Sequence, residues 1–225
     1  MKIAIIGAME IEVKTIKQLI EKPNTKMLYD MPITEGTFED KQIVVAQCFP
    51  GKVNAAICTQ TIIINHKPDQ IINIGVAGGC HHMNIGDVAV AKEFIQHDID
   101  TTPLGEPMGL IPGLCLTSIP SDDDICENLI KAAKKANLVF HKSIFATGDQ
   151  FATPQKIEYI KKYFDSEIFE MEGAAIAHVC KRAKIPFGAA RVVSDNGHAK
   201  TQYEKFKFQA AKTCASVMIE YLKLI

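Results

Sequence analysis

"FEMEGAAIAHVC", residues 169–180, reads as a buried strand running into a helix, and it sets two carboxylates, Glu170 and Glu172, around one methionine. Desolvating an unpaired carboxylate costs several kcal/mol or forces it to take up a proton, so charge at this junction implies a partner or a task. The strand-to-helix step repeats along the chain. Short apolar runs rich in β-branched residues, bounded by Gly or Pro, alternate with segments of helical period, the pattern of an α/β domain. Strands are expected at 2–6, 43–48, 70–75, 87–95, 143–147, 167–171 and 187–193, with a hairpin over 27–38. Helices are expected at 10–21, 52–65, 122–136, 154–163, 173–183 and 203–223. The expected fold is one central mixed, twisted β-sheet flanked by helices.

Helix start signals agree. Ser121 and three aspartates precede "ICENLIKAAKKAN", which closes on lysines and so complements the helix dipole. Thr153 and Pro154 open "TPQKIEYIKKYF" as cap and first helical residue. In the last helix Phe206, Ala210, Cys214, Val217, Met218, Tyr221 and Leu222 form one apolar stripe, which is core. The Pro- and Gly-rich stretch 98–121 lacks helical period, and a connection of that length is commonly a lid, a binding loop or an interface arm.

At 225 residues the chain can bury a single large core, so one domain over 1–225 is expected. With 25 basic and 26 acidic residues the net charge is -1, and no basic block attracts a polyanion, which argues against nucleic acid. The seven cysteines are odd in number, widely spaced and never in a C-x-x-C pair, as expected of reduced, mostly buried thiols. "MKIAIIGAME" resembles neither a secretory signal nor a membrane span, and the expected setting is the cytoplasm.

Ligands of open α/β sheets bind beyond the carboxyl ends of the strands. Those ends read "IIGAMEIE", "NIGVAGG", "FATGDQF", "FEMEG" and "RVVSDN", and four of the five carry a carboxylate. Gly75, Gly78 and Gly79 do not spell a dinucleotide fingerprint, and Lys52 in "PGKV" lacks the second glycine and hydroxyl of a P-loop. The contiguous ligand-type residues of "CHHM" (80–83) and "HDID" (97–100) lack metal-site spacing, and Ser118 and Ser121 lie in no nucleophile elbow. No metal and no cofactor are expected. What remains is a carboxylate site whose nearby cation is Arg191. It suits bond cleavage through a cationic transition state, as in glycosyl transfer, and suits phosphate poorly.

Taken in order, "IGAMEIEV" (6–13), "GKVNAA" (51–56), "GVAGG" (75–79), "QHDID" (96–100), "TGDQF" (147–151), "EMEGAAIAHVC" (170–180) and "RVVSDN" (191–196) make the chain resemble the 5'-methylthioadenosine/S-adenosylhomocysteine nucleosidases, within the nucleoside phosphorylase-like superfamily. The resemblance implies hydrolysis of the N-glycosidic bond of either nucleoside to adenine and a thioribose, a step of methionine salvage. It adds 5'-deoxyadenosine and 6-amino-6-deoxyfutalosine as candidate substrates, and it implies a homodimer closed by the arm 98–112. By the same resemblance Glu12 is the base for the attacking water and Asp195 the acid that protonates N7 of adenine. Glu172 holds the ribose hydroxyls beside Met171, Phe151 stacks on the purine and the Ala152 backbone reads its edge. Gly78 lies under the nucleoside, Met9, Val76 and Tyr203 line the 5' pocket, and Arg191 fixes Glu172 or a site water. Pro50, Val76 and Leu104 depart from the commonest family pattern, as does "SDNGHAKTQYEKF". A phosphorylase would carry arginines where this chain has Glu10 and Glu12. That enzyme, and a nucleoside-binding domain without catalysis, are the alternative readings.

Overall fold

In the computed structural model, which describes residues 1–80, 82–196 and 200–225, ten strands and six helices build one α/β unit. The strands are β1 (Lys2–Gly7), β2 (Glu21–Leu28), β3 (Met31–Phe38), β4 (Lys41–Gln47), β5 (Gln70–Gly79), β6 (Val88–Gln96), β7 (Ile119–Pro120), β8 (Phe140–Thr147), β9 (Ile168–Glu170) and β10 (Phe187–Asp195). The helices are α1 (Glu10–Leu19), α2 (Lys52–His66), α3 (Asp123–Lys135), α4 (Pro154–Tyr163), α5 (Gly173–Ala183) and α6 (Lys200–Leu224).

The sheet closes on itself. β5, β9, β8, β6 and β10 form a ring, because β10 pairs with both β6 and β5. β1, β4, β3 and β2 extend from β5, and β7 adds to β6. Closure removes the unpaired edges that an open sheet would present. Among the described residues the long free edge is β2, which is exposed and carries Lys22, Pro23 and Lys26, residues that discourage edge-to-edge pairing. β5 and β10 run parallel to each other and to β1, whereas β6, β8 and β9 run the opposite way.

α4 and α5 have the bounds expected from sequence, and Thr153 Oγ1 accepts from Lys156 N as the α4 cap. At α3 the cap is Asp122, which accepts from Ile125 N, and not Ser121, whose hydroxyl donates to Ala91 O. The hairpin expected over 27–38 is longer, and its two-residue turn puts Tyr29 and Asp30 at φ of 50° and 59°, the primed geometry that matches strand twist. In α6 the stripe from Ala210 to Leu222 is buried as expected, with Phe206 half-buried. The stretch 98–121 contains a 3-10 turn at Thr102–Leu104 and the short strand β7, neither of which the sequence pattern announces.

Apolar residues on the two faces of the sheet build two large clusters, one against α2 and α5 and the other against α1, α3 and α6. Six cysteines are buried and Cys115 is exposed, all as free thiols. Among the described residues no helix is long and apolar enough to cross a membrane.

Candidate active site

β5 is shared by three neighbours, and the site lies where they change over. β1 pairs with β5 only as far as Asn73, and β9 joins the chain at Gly78. Between them, backbone groups on that edge need other partners. Val76 N donates to Glu12 Oε1 at 2.9 Å, and Val76 O accepts from Arg191 Nη1 at 3.2 Å. Gly75 is a glycine because a Cβ there would collide with both the Glu12 carboxylate and the Arg191 guanidinium.

Glu12 sits at the third position of α1, and its other oxygen accepts from Met9 N at 2.8 Å, one half of a capping box. It is 1% exposed. Burial raises its pKa above the ordinary carboxylate range, with Arg191 and the N–H donors of Met9 and Val76 pulling the other way.

Arg191, on β10, is 1% exposed and surrounded by carboxylates. Its Nη2 lies 2.7 Å from Glu170 Oε2, 2.9 Å from Glu172 Oε2 and 2.7 Å from Asn73 Oδ1, and Nη1 is 3.9 Å from Glu12 Oε1. The sequence reading paired it with Glu172 or a water, and here it serves Glu170 as well.

The two carboxylates of "FEMEG" do different things because β9 ends at Glu170 and Glu172 is already the cap position of α5. Glu170 Oε2 accepts from the backbone N–H groups of Glu172 and Gly173, at 2.9 and 2.7 Å, and so satisfies the N-terminus of α5. Its Oε1 accepts from the Thr147 hydroxyl, which in turn accepts from Ala174 N at 2.8 Å. Glu172 turns the other way: Oε1 accepts from Gly51 N at 3.0 Å. Burial, opposed by Arg191, raises its pKa to about 7.

Asp195 reaches the same cleft through a bulge. The β10 register against β5 shifts between Val193 and Asp195, so Ser194 and Asp195 together face Gly78. Asp195 is 3% exposed, accepts from Ser194 Oγ at 3.1 Å, and holds Oδ1 3.4 Å from where a Cβ of Gly78 would stand.

The cleft has a volume of about 120 Å³, and all eleven residues singled out by sequence line it: Met9, Glu12, Val76, Gly78, Phe151, Ala152, Met171, Glu172, Arg191, Asp195 and Tyr203. The phenol of Tyr203 donates to Met9 Sδ at 3.1 Å, and its ring meets Phe151 edge to face at 5.9 Å. Gly78 belongs to β5, which runs four residues beyond the expected end, rather than to a loop. Pro50, Ala8, Ala77, Gln150, Phe169, Glu170 and Ser194 also line the wall, and Asn73 and Thr147 hold it from behind. Asn73 had a signal in sequence, a lone amide inside an apolar strand; Thr147 had none.

Two acidic residues at the strand ends miss the cleft. Glu10 is exposed and pairs with Lys17 at 3.0 Å, while Asp149 accepts from Lys52 N at 2.8 Å. Segments from all five strand ends nevertheless line the cleft, although β8 and β9 run against β1, β5 and β10. Of the ligand-type clusters, Asp98 takes Lys52, His82 faces Glu167 at 3.2 Å, and His81 lies outside the described residues. Among the described residues no group of three or more His, Cys, Asp or Glu is arranged to hold a metal ion.

A family model described as "Phosphorylase superfamily" matches residues 2–223. The chain is 34% identical to 5'-methylthioadenosine/S-adenosylhomocysteine nucleosidase of Bacillus velezensis over the full length of both. The chain belongs to this nucleosidase family of the phosphorylase superfamily. Solved family structures agree in fold. The Neisseria meningitidis nucleosidase in complex with methylthio-immucillin-A superposes with a TM-score of 0.96 at 31% identity, covering 100% of this chain and 99% of that one. A futalosine hydrolase mutant of Helicobacter pylori superposes at 0.95 with 27% identity, again covering 100% and 99%.

Proposed function

We propose that the chain hydrolyses the N-glycosidic bond of 5'-methylthioadenosine and S-adenosylhomocysteine, releasing adenine and the thioribose. The observation that carries this reading is the meeting of Glu12, Glu172 and Asp195 at one cleft whose one cation among the described lining residues, Arg191, is already engaged by three carboxylates. A phosphorylase must hold a dianion, and a guanidinium so engaged is poorly placed for it. Water fits.

In this reading Glu12 draws a proton from water, its raised pKa favouring proton uptake. Asp195 delivers a proton to N7 of adenine, so that the base leaves neutral. Glu172 accepts the ribose hydroxyls beside Met171. Phe151 stacks on the purine, Ala152 offers its backbone, and Gly78 leaves room beneath the sugar. Met9, Val76 and Tyr203 surround the 5' thioether, a soft apolar group suited to their surfaces. The nucleoside and water are the only partners the chemistry requires, and no cofactor is invoked. The H. pylori futalosine hydrolase likeness keeps 6-amino-6-deoxyfutalosine, and with it 5'-deoxyadenosine, among the substrates to assay.

The protein is read further as a cytoplasmic homodimer. Exposed apolar side chains on α2, Val53, Ile57 and Ile64, and Leu104 at 81% exposure in the arm, support an interface between copies.

The deciding experiment is adenine release from methylthioadenosine in phosphate-free buffer. Full turnover is expected there, with no gain on adding phosphate; a strict phosphate requirement would return the chain to the phosphorylases.

Glu172 also makes a pH prediction. Its folded pKa, about 7, lies above the ordinary 4.5, so the folded state holds the proton more tightly than the unfolded one. Stability from this group is therefore present below pH 4.5 and is lost as pH rises to 7. Glu172→Gln removes the titration. Its stability relative to wild type should rise across that window by on the order of 1–3 kcal/mol, read by urea denaturation at several pH values. A difference independent of pH would refute the assignment.

A further inference from the structure

Behind the cleft wall, outside its lining, three charged residues close a ring. α2 begins at Lys52 with Gly51 as its cap residue, which has no side chain to satisfy the first N–H groups of the helix. Asp149, from the loop after β8, does so instead: its Oδ1 accepts from Lys52 N at 2.8 Å. Asp149 N donates to Asp98 Oδ2 at 3.0 Å, and Asp98 Oδ1 accepts from Lys52 Nζ at 2.6 Å. Lys52 Nζ also reaches Gln96 Oε1 at 3.3 Å. Burial works against the charge on Asp98, yet its pKa is lowered, because Lys52 and the Asp149 N–H outweigh it.

Two members of this ring lead to residues that line the cleft, and the third leads to the end of β6. Gly51, at a φ of +105° that favours glycine, directs its N–H to Glu172 Oε1 at 3.0 Å. Asp149 is two residues before Phe151 and three before Ala152, both in the cleft lining. Asp98 anchors the pair to the end of β6. The His97 ring lies against Gly148, where any Cβ would collide with it, so the loop has little room to shift on that side.

We propose that Lys52, Asp98 and Asp149 are positioning residues that couple the wall carrying Glu172 to the wall carrying Phe151 and Ala152, so that a ligand spanning both meets them at a set separation. The inference rests on the nucleoside reading of the cleft. None of the three touches substrate; they act through Gly51 and the 149–152 loop. A small misplacement of reacting groups costs far more in rate than the lost contact itself, which is why a tie behind the wall matters to chemistry.

The coupling is tested by comparing a ligand that spans both walls with one that occupies only the purine side. The probes are a non-cleavable C-nucleoside analogue of methylthioadenosine and free adenine, titrated calorimetrically into wild type, Lys52→Met, Asp98→Asn and Lys52→Arg. Lys52→Met removes the Nζ arm and keeps the backbone N–H to Asp149. Asp98→Asn turns an amide toward one of two donors. Both should weaken the analogue ~10-fold or more and adenine by less than ~2-fold, with kcat falling alongside, because orientation across the cleft is what they disturb. Lys52→Arg keeps the charge and should restore analogue affinity to within ~3-fold of wild type.

Equal weakening of both ligands, or of neither, overturns the proposal, as does a Lys52→Arg variant no better than Lys52→Met. Loss of a cooperative thermal transition in both Lys52→Met and Asp98→Asn also overturns it, since the ring would then serve folding alone. The functional reading fails separately. A wild-type chain that binds the analogue yet releases no adenine from methylthioadenosine would sink that reading while the two-ligand comparison still stood.

Discussion

Asp195→Asn is expected to lower kcat/KM for methylthioadenosine by ~10²- to 10⁴-fold while leaving nucleoside affinity within a few-fold of wild type. The asymmetry follows from what the substitution changes. Asparagine matches aspartate in shape, and its amide oxygen can still accept from Ser194 Oγ, which reaches Asp195 at 3.1 Å. The bulge that sets Asp195 beside Gly78 is a backbone feature and should survive. What an amide cannot do is deliver a proton to a departing base. Adenine release measured together with calorimetric binding of a non-cleavable analogue separates the two effects. Wild-type turnover in this variant would remove Asp195 from the mechanism, and a parallel collapse of binding would assign it to recognition.

The second large effect is on stability. Arg191 lies within 4 Å of three buried carboxylates, at 2.7, 2.9 and 3.9 Å from Glu170, Glu172 and Glu12. Burial alone would pull the guanidinium down, but these carboxylates outweigh it and hold the charge in place. Arg191→Met keeps an unbranched apolar stem and removes the only cation among them. Breaking a buried ion pair from one side typically costs ~3–5 kcal/mol, because the partners stay buried and uncompensated. Here the cost should depend on pH. Arg191 opposes the raised pKa of Glu12 and Glu172, so without it both bind protons more tightly in the folded state, and the deficit relative to wild type should widen as pH rises through about 7. Urea midpoints on both sides of that pH measure it. A variant as stable as wild type at every pH would mean that Arg191 does not compensate the buried carboxylates.

The same cluster shows where sequence reading succeeds and where it stops. α4 and α5 were legible to the residue because their signals are local: a threonine cap before proline, a glycine after a buried strand. The cleft residues were legible because motifs record which side chains a fold brings together without recording how. Asn73 and Thr147 went unread because each acts through a partner far away in the chain, Arg191 in one case and Glu170 in the other. Asp149 is ambiguous in the sequence for a related reason. A carboxylate after a strand can face the cleft or cap a distant helix, and nothing adjacent to it distinguishes the two.

By itself the sequence determined the α/β alternation and the bounds of several helices, since periodicity, capping and composition act over a few residues at a time, and its ordered motifs, through the family resemblance, named the charged and aromatic residues that meet at the cleft. Only the tertiary structure decided that the sheet closes into a ring, that β1 leaves β5 before β9 joins it, and that the gap between them is filled by Glu12 and Arg191. Strand order and register are set by pairings between distant segments. Backbone groups left over from those pairings must find side chains, and where they found carboxylates the site was made.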